Sequence, residues 1–417
     1  MLSGLRNAFK VKDLRRRIVF TLLMFLIFRA GVHITVPGVN PELMKQFFGQ
    51  GQLFAFFDVI AGGGFLNFSI FALNVTPYIT ASIIVQLLTI VFPRLEQLAK
   101  EGEEGRKKLA QFTRYGTVAL AFLQALGITF AIRGAVVEPG ALTIILIAFT
   151  LTAGTAFLMW LGEQITEHGI GNGISLIIFA GIVSRLPAGA ESLAEALRLR
   201  TVGYGGLLAV LIVALLAIVL VVYVQEGQRR IPVQYAKRVV GRRMYGGQST
   251  HIPLKVNMAG VIPVIFASSL LLFPLTVTQF VQHPIATAIN NALSFGRPLN
   301  TVLYVVFVMF FTYFYTAIQF NPVEVSDNIK KYGGFIPGIR PGRPTTEYLT
   351  RVVNRITLVG AVFLAAIVTL PIFTRGLSPL AVSIGGTALL IVVGVALETM
   401  KQIEAHLLMR HYKGFIK

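Results

Sequence analysis

The chain has 417 residues, 55% of them hydrophobic and only 13% charged, with a mean hydropathy of +0.73 and a formal net charge of +19. Soluble domains carry about 25% charged residues, so this composition excludes an ordinary soluble domain and describes a polytopic helical membrane protein. There is no cysteine, and the six histidines are scattered, which excludes disulfides, thiol catalysis and a cysteine-ligated metal.

In chain order, a basic opening (Lys10, Lys12, Arg15, Arg16, Arg17) leads into an apolar run at 18–36. No small-residue cleavage site follows, so this run reads as an uncleaved first span. The next stretch, 53–72, is rich in phenylalanine but interrupted by Gly62-Gly63-Gly64, each glycine costing a helix about 1 kcal/mol relative to alanine. It runs directly into 74–92, an apolar span that nevertheless carries Asn74, Thr76, Pro77, Thr80 and Gln86. Further runs fall at 113–132, 141–161, 170–186, 206–225, 257–280, 300–319, 354–373 and 378–397, which makes ten predicted spans. Each run is long enough to cross about 30 Å of hydrocarbon at roughly 1.5 Å per residue.

Charge decides against an eleventh crossing at 53–72. With ten spans, the tails and the loops at 93–112, 162–169, 226–256 and 320–353 share one side, which with its flanks holds 29 of the 37 Lys and Arg. Seven lie on the other side (Lys45, Arg133, Arg185, Arg198, Arg200, Arg297, Arg375), and Arg29 is left within a span. The positive-inside rule then places both termini in the cytoplasm. An extra crossing would reverse that bias, so 53–72 is expected to dip into the bundle from outside and return.

Coupled transport usually needs carboxylates inside the membrane. The 18 Asp and Glu all lie in loops, tails or span ends, except Asp58 in the re-entrant stretch. No phosphate-binding glycine loop, metal motif or catalytic triad is present, which argues against an enzyme or a pump and for a passive conduit without cofactors. A secondary transporter of small solutes is the alternative; it lacks mid-membrane ionisable residues.

The polar side chains of 74–92 and 257–280 (Thr80, Gln86, Asn257, Ser268, Ser269) fit either satisfied helix–helix contacts or a seam that must part. The glycines of "GEQITEHGIGNGISLIIFAGI" read as a tight turn and a close helix approach. The two long basic loops at 226–256 and 320–353 fit topology alone, or docking of an acidic partner or RNA phosphates. In "GFIPGIRPG" the glycines and prolines are expected to hold Arg340 at the tip of a stiff turn.

Taken together, "SIFALNVTPYITASIIVQLL", "KEGEEGRKKLAQFTRYGT", "FLMWLGEQITEHGIGNGISLIIFAGIV", "QSTHIPLKVNMAGVIPVIFASSLLLFP" and "GFIPGIRPG" resemble the SecY family. Its members form the central subunit of the bacterial SecYEG protein translocase. The resemblance covers nearly the whole chain. Departures are small: Asn74 stands where glycine is common, His168 where arginine is common, and the 281–299 loop and C-terminal tail are short.

The resemblance implies an all-α membrane fold of two pseudo-symmetric five-helix halves, 1–187 and 200–417, joined by an external hinge loop at 188–199. It implies a pore ring of Val75, Ile79, Ile174, Ile178, Ile265 and Ile391. It also implies a re-entrant plug helix at about 57–68, with Phe57, Ile60, Gly62, Gly63, Gly64, Phe65, Leu66 and Phe68. A lateral gate for signal sequences would involve Thr80, Gln86, Asn257, Ser268 and Phe273, with Thr80 facing Phe273. Arg238, Arg242, Arg243 and Arg340 would dock partners. The implied partners are SecE and SecG, the SecA motor, a translating ribosome, signal peptides and preproteins, and the lipid bilayer, with YidC and SecDF as further associates. The implied location is the bacterial plasma membrane, with energy drawn from SecA, the ribosome or the proton-motive force.

Overall fold

The computed structural model describes residues 9–40, 43, 58, 61–138, 140–199, 203–235, 238–240, 243–245, 249–278, 284–294, 297–374 and 386–413. It is mostly helical, and a described helix overlaps each of the ten apolar runs. In the first part these are α1 (Lys12–Val32), α2 (Thr76–Val91), α4 (Glu103–Ala131), α5 (Ala141–His168) and α6 (Gly173–Ser184), with the short α3 (Pro93–Lys100) after α2. Pro93 cannot continue the α2 ladder, and α3 leaves α2 at a 104° bend. After α6 comes α7 (Leu186–Arg198), followed by α8 (Tyr204–Glu226), α9 (Ile262–Thr278), α10 (Pro284–Leu293), α11 (Pro298–Gln319), α12 (Pro322–Lys331), α13 (Arg343–Thr374) and α14 (Gly386–Lys413).

Six of the described helical segments are long and apolar enough to cross a membrane, or seven if the bent α2–α3 pair is one span. Of the others, α1 carries Arg15–Arg17 and Arg29, α4 opens on "EEGRKK", and the apolar part of α9 is short at Ile262–Leu271.

Two sequence expectations are corrected. The stretch 188–199 is not a loop: its Ala-, Leu- and Glu-rich sequence continues α7, started by Pro187 in the first turn, a position that proline tolerates. The basic loop at 226–256 departs from the all-α expectation. In it β1 (Gln228–Tyr235) pairs antiparallel with β4 (Ser249–Lys255), with Ile231 opposite Ile252, and β2 (Arg238–Val240) pairs with β3 (Arg243–Tyr245). The fold is therefore all-α in its apolar part and carries small sheets outside it.

Packing groups the helices. α1, α2, α4, α5 and α6 contact one another, as do α8, α9, α11, α13 and α14. The two groups meet mainly where α6 lies against α14 and where α2 lies against α9. One apolar cluster fills the first group (Ala121, Ala125, Ile147, Leu151), a second fills the other (Val264, Phe311, Leu364, Leu390), and a third lies between them.

Candidate pore and gate

The third cluster contains the six aliphatic residues named from the sequence. Val75, Ile178 and Ile391 are buried in it, and Ile79, Ile174 and Ile265 pack against it partly buried. They come from α2, α6, α9 and α14, and so from both helix groups. Local sequence explains how each is presented. Asn74 adopts φ 51°, a left-handed conformation that asparagine tolerates better than most side chains, and Val75 follows at the α2 N-cap, 0% exposed. Before α6, the Asn172 carboxamide oxygen accepts a hydrogen bond from the Ser175 amide at 3.2 Å, which caps the helix. A Cβ at Gly173 would overlap the Gly162 carbonyl of α5, so glycine lets α6 sit directly on α5. Ile174 and Ile178 then lie one turn apart on α6.

Residues 61–75, expected to begin as a plug helix, form successive turns instead. Gly62 (φ 64°) and Gly63 (φ 93°) supply the left-handed backbone. The segment is well packed: Ala61, Phe65, Phe68, Ala72 and Leu73 are buried among α4 and α5 residues, and Leu66 packs partly buried beside them. The Gly64 amide donates a hydrogen bond to the Ala61 carbonyl at 3.1 Å. The Val36 amide donates to the Phe68 carbonyl, and the Ile70 amide to the Ile34 carbonyl, both at 3.0 Å. Phe57 and Ile60 lie outside the described residues.

The α2/α9 seam is apolar. Ile83 of α2 is buried with Val264, Phe266 and Leu271 of α9, and Ile79 and Leu87 pack beside it. The polar side chains do not bridge the two helices. Thr80 donates to its own Thr76 carbonyl at 3.1 Å, Ser268 to Ile265 at 2.8 Å, and Asn257 to the Gly260 carbonyl at 3.0 Å. Gln86 is exposed. The side chain of Phe273 lies outside the described residues.

On the charged side, the two basic loops come together as one unit. Ile231, Val233 and Leu254 of the β1/β4 hairpin pack with Ile329 of α12, Ile336, and Leu349, Val352 and Val353 of α13. The strand β5 (Gly334–Phe335) pairs with β1. Arg340 is exposed between Gly338 (φ 81°) and Gly342 (φ 97°), as the turn chemistry predicts. Its carbonyl accepts from the Thr345 hydroxyl at 2.8 Å, and its side chain borders an open groove with Lys330, Phe335 and Ile339. The side chains of Arg238 and Arg243 lie outside the described set, as does all of Arg242.

Sequence reasoning missed a charged cluster. Asp58 is buried and ion-paired with Arg185, and Arg29 donates to the Gly62 carbonyl at 2.8 Å. The available signal was that Asp58 and Arg29 are the acid and the base out of place in an otherwise segregated charge pattern.

A family model described as SecY matches residues 69–400. The chain is 51% identical to the protein translocase subunit SecY of Halalkalibacterium halodurans and 48% identical to that of Bacillus subtilis, with full coverage of both chains in each case. Among solved structures, a protein-conducting channel superposes with TM-score 0.67 at 19% identity, covering 94% of this chain and 92% of the other. Sec61 from the canine ribosome–channel complex superposes at TM-score 0.63 with the same identity and coverage. A third match (TM-score 0.67, 20% identity, 94% and 92% covered) comes from work on the SecY plug domain, described as maintaining a membrane seal. Full-length identity near one half, together with that shared fold, shows that this chain belongs to the SecY family.

Proposed function

We infer that this chain is the channel subunit of a protein translocase, a passive conduit for unfolded polypeptides. The observation that carries the reading is the convergence of Val75, Ile79, Ile174, Ile178, Ile265 and Ile391, from both helix groups, in one aliphatic cluster. A narrow aliphatic constriction sheds water, so ions meet a desolvation barrier, while branched side chains can move aside for a peptide.

In this reading ten spans cross the plasma membrane with both termini cytoplasmic, in halves of about 1–187 and 200–417. Residues 57–68 plug the outer side of the ring, and α2 against α9 and α11 forms a lateral gate. The dry α2/α9 contact supports the gate, because parting it breaks no hydrogen bond between Thr80, Ser268 or Asn257 and the other helix. An emerging segment is then sorted by the bilayer. On the insertion scale each Leu, Ile, Phe or Val gains about 0.3–0.6 kcal/mol at mid-membrane, and each Asp, Lys or Arg costs about 2.5–3.5 kcal/mol.

The hairpin unit with Arg340 is the docking face for the driver, either the SecA motor or a ribosome, and SecE and SecG complete the complex. The test exploits the absence of cysteine. Thiols introduced singly at Thr80, Ile178 and Ile265 are expected to crosslink to a stalled secretory precursor. A precursor that translocates without meeting any of the three would overturn the pore path.

A further inference from the structure

Arg29 and Asp58, the two charges that topology does not explain, are brought to one place. Asp58 is 1% exposed and forms an ion pair with Arg185, which caps the outer end of α6. Asp58 Oδ1 accepts from the Leu66 amide at 2.8 Å, and the Asp58 carbonyl accepts from the Gly63 amide at 3.0 Å. From α1, Arg29 Nη1 donates to the Gly62 carbonyl at 2.8 Å and to Ser184 Oγ at 3.3 Å. Ser184 in turn donates to the Gly181 carbonyl at 2.7 Å. A Cβ at Gly62 would lie 3.0 Å from Gly181 Cα, so glycine is what lets this carbonyl reach Arg29. Six residues of helix separate Ile178 from Ser184, which places the cluster roughly 9 Å outward of the ring.

Breaking a buried pair by withdrawing one partner is costly, because it strands a charge in a poorly solvated place. The neighbouring 65–73 segment is held differently, by apolar packing and by the backbone bonds to Ile34 and Val36, none of which depends on charge. We propose that Asp58, Arg185 and Arg29 form a charged latch that sets how readily the 57–68 segment withdraws from beneath the pore ring. Arg185 and Arg29 are positioning residues for that segment. The proposal rests on the plug reading given above.

The experiment uses the full chain with its partner subunits in proteoliposomes, carrying Ala61→Cys as its single thiol. Ala61 is 1% exposed, so a water-soluble maleimide is expected to label the resting channel slowly. Asp58→Asn and Arg185→Gln should each raise labelling and resting ion conductance about tenfold or more. The double variant should exceed either single by less than about twofold, because both remove one shared pair. Arg185→Lys should restore most of the resting behaviour, and Arg29→Gln should add its own increase.

Singles that leave both readouts unchanged, or a double equal to the product of the singles, would overturn the latch. If Arg185→Gln fails to assemble, the isosteric Asp58→Asn and the charge-preserving Arg185→Lys decide: fast labelling in the first with slow labelling in the second upholds the proposal, and slow labelling in the first overturns it. Deleting 57–68 separates the two ideas. A leaky deletion beside silent single variants sinks the latch and leaves the plug standing. A tight deletion sinks the plug reading, and the labelling cycle still reports on the pair.

Discussion

The α2/α9 seam makes a quantitative test of what holds the two helix groups together. Thr80 lies one turn before Ile83 on α2, and its hydroxyl is spent on the Thr76 carbonyl at 3.1 Å. A hydrogen bond bridging two membrane helices averages about 0.6 kcal/mol, with a maximum of about 1.7, so a bridging Thr80 would shift seam opening roughly threefold on Thr80→Val, and up to about twentyfold. The self-satisfied geometry predicts a shift below about twofold. Ile83 is the opposite case: it is 8% exposed and buried among α9 side chains. Lipid replaces the hydrophobic term, so Ile83→Ala forfeits dispersion alone. Three carbons with about five neighbours each, at roughly 0.1 kcal/mol per pair, amount to about 1.5 kcal/mol, or about tenfold. The assay is the partition of a marginally apolar segment between membrane insertion and full translocation in reconstituted vesicles. Ile83→Ala is expected to move the insertion threshold and Thr80→Val is not. The reverse order would refute the claim that apolar packing closes this seam.

Three further outcomes are expected. Gly173→Ala places a methyl group against the Gly162 carbonyl and should cost about 2 kcal/mol or more by forcing α6 off α5; limited proteolysis of the α5–α6 connection checks it, and a protease-resistant variant would count against the close packing. Ile178→Asn should raise resting ion conductance severalfold, because it wets a residue that is 4% exposed in the closed cluster; an unchanged conductance would remove Ile178 from the barrier. Arg340→Glu should block motor-driven export without unfolding the hairpin unit, because the structural bond there uses the Arg340 carbonyl; export at the normal rate, with the protein assembled, would exclude its side chain from docking.

The helical part of the fold was legible because apolar runs and their charged flanks are a strong local signal. Each of the ten runs overlaps a described helix, and α13 and α14 extend beyond the predicted ends into charged sequence. The hairpin at 228–255 was not legible. Its inward positions, Ile231, Val233 and Leu254, alternate for only a few residues among Arg, Pro, Gln and Lys. The core that receives them is supplied by α12 and α13, far along the chain. The glycine run was misjudged in kind. It weakens a helix, but residues 61–75 form turns, and the glycines serve left-handed backbone there and the approach of Gly62 to α6. Asp58 and Arg29 were visible as anomalies, yet their partners lie on α6, and no local pattern links a turn to a helix end so distant in sequence. The aliphatic ring residues look like any core residue by spacing. The resemblance singled them out, and the fold brings them into one cluster.

The central claim is that a polypeptide threads the aliphatic constriction between the two helix groups. The most direct measurement uses proteoliposomes holding this chain with its partner subunits, supplied with a motor ATPase, ATP and a secretory precursor. Protease-protected precursor is expected to accumulate inside the vesicles, and to stop accumulating when a disulfide joins α2 to α9 across the closed seam. Protection that never appears in the unlocked complex, or that continues undiminished when the seam is locked, would contradict the account.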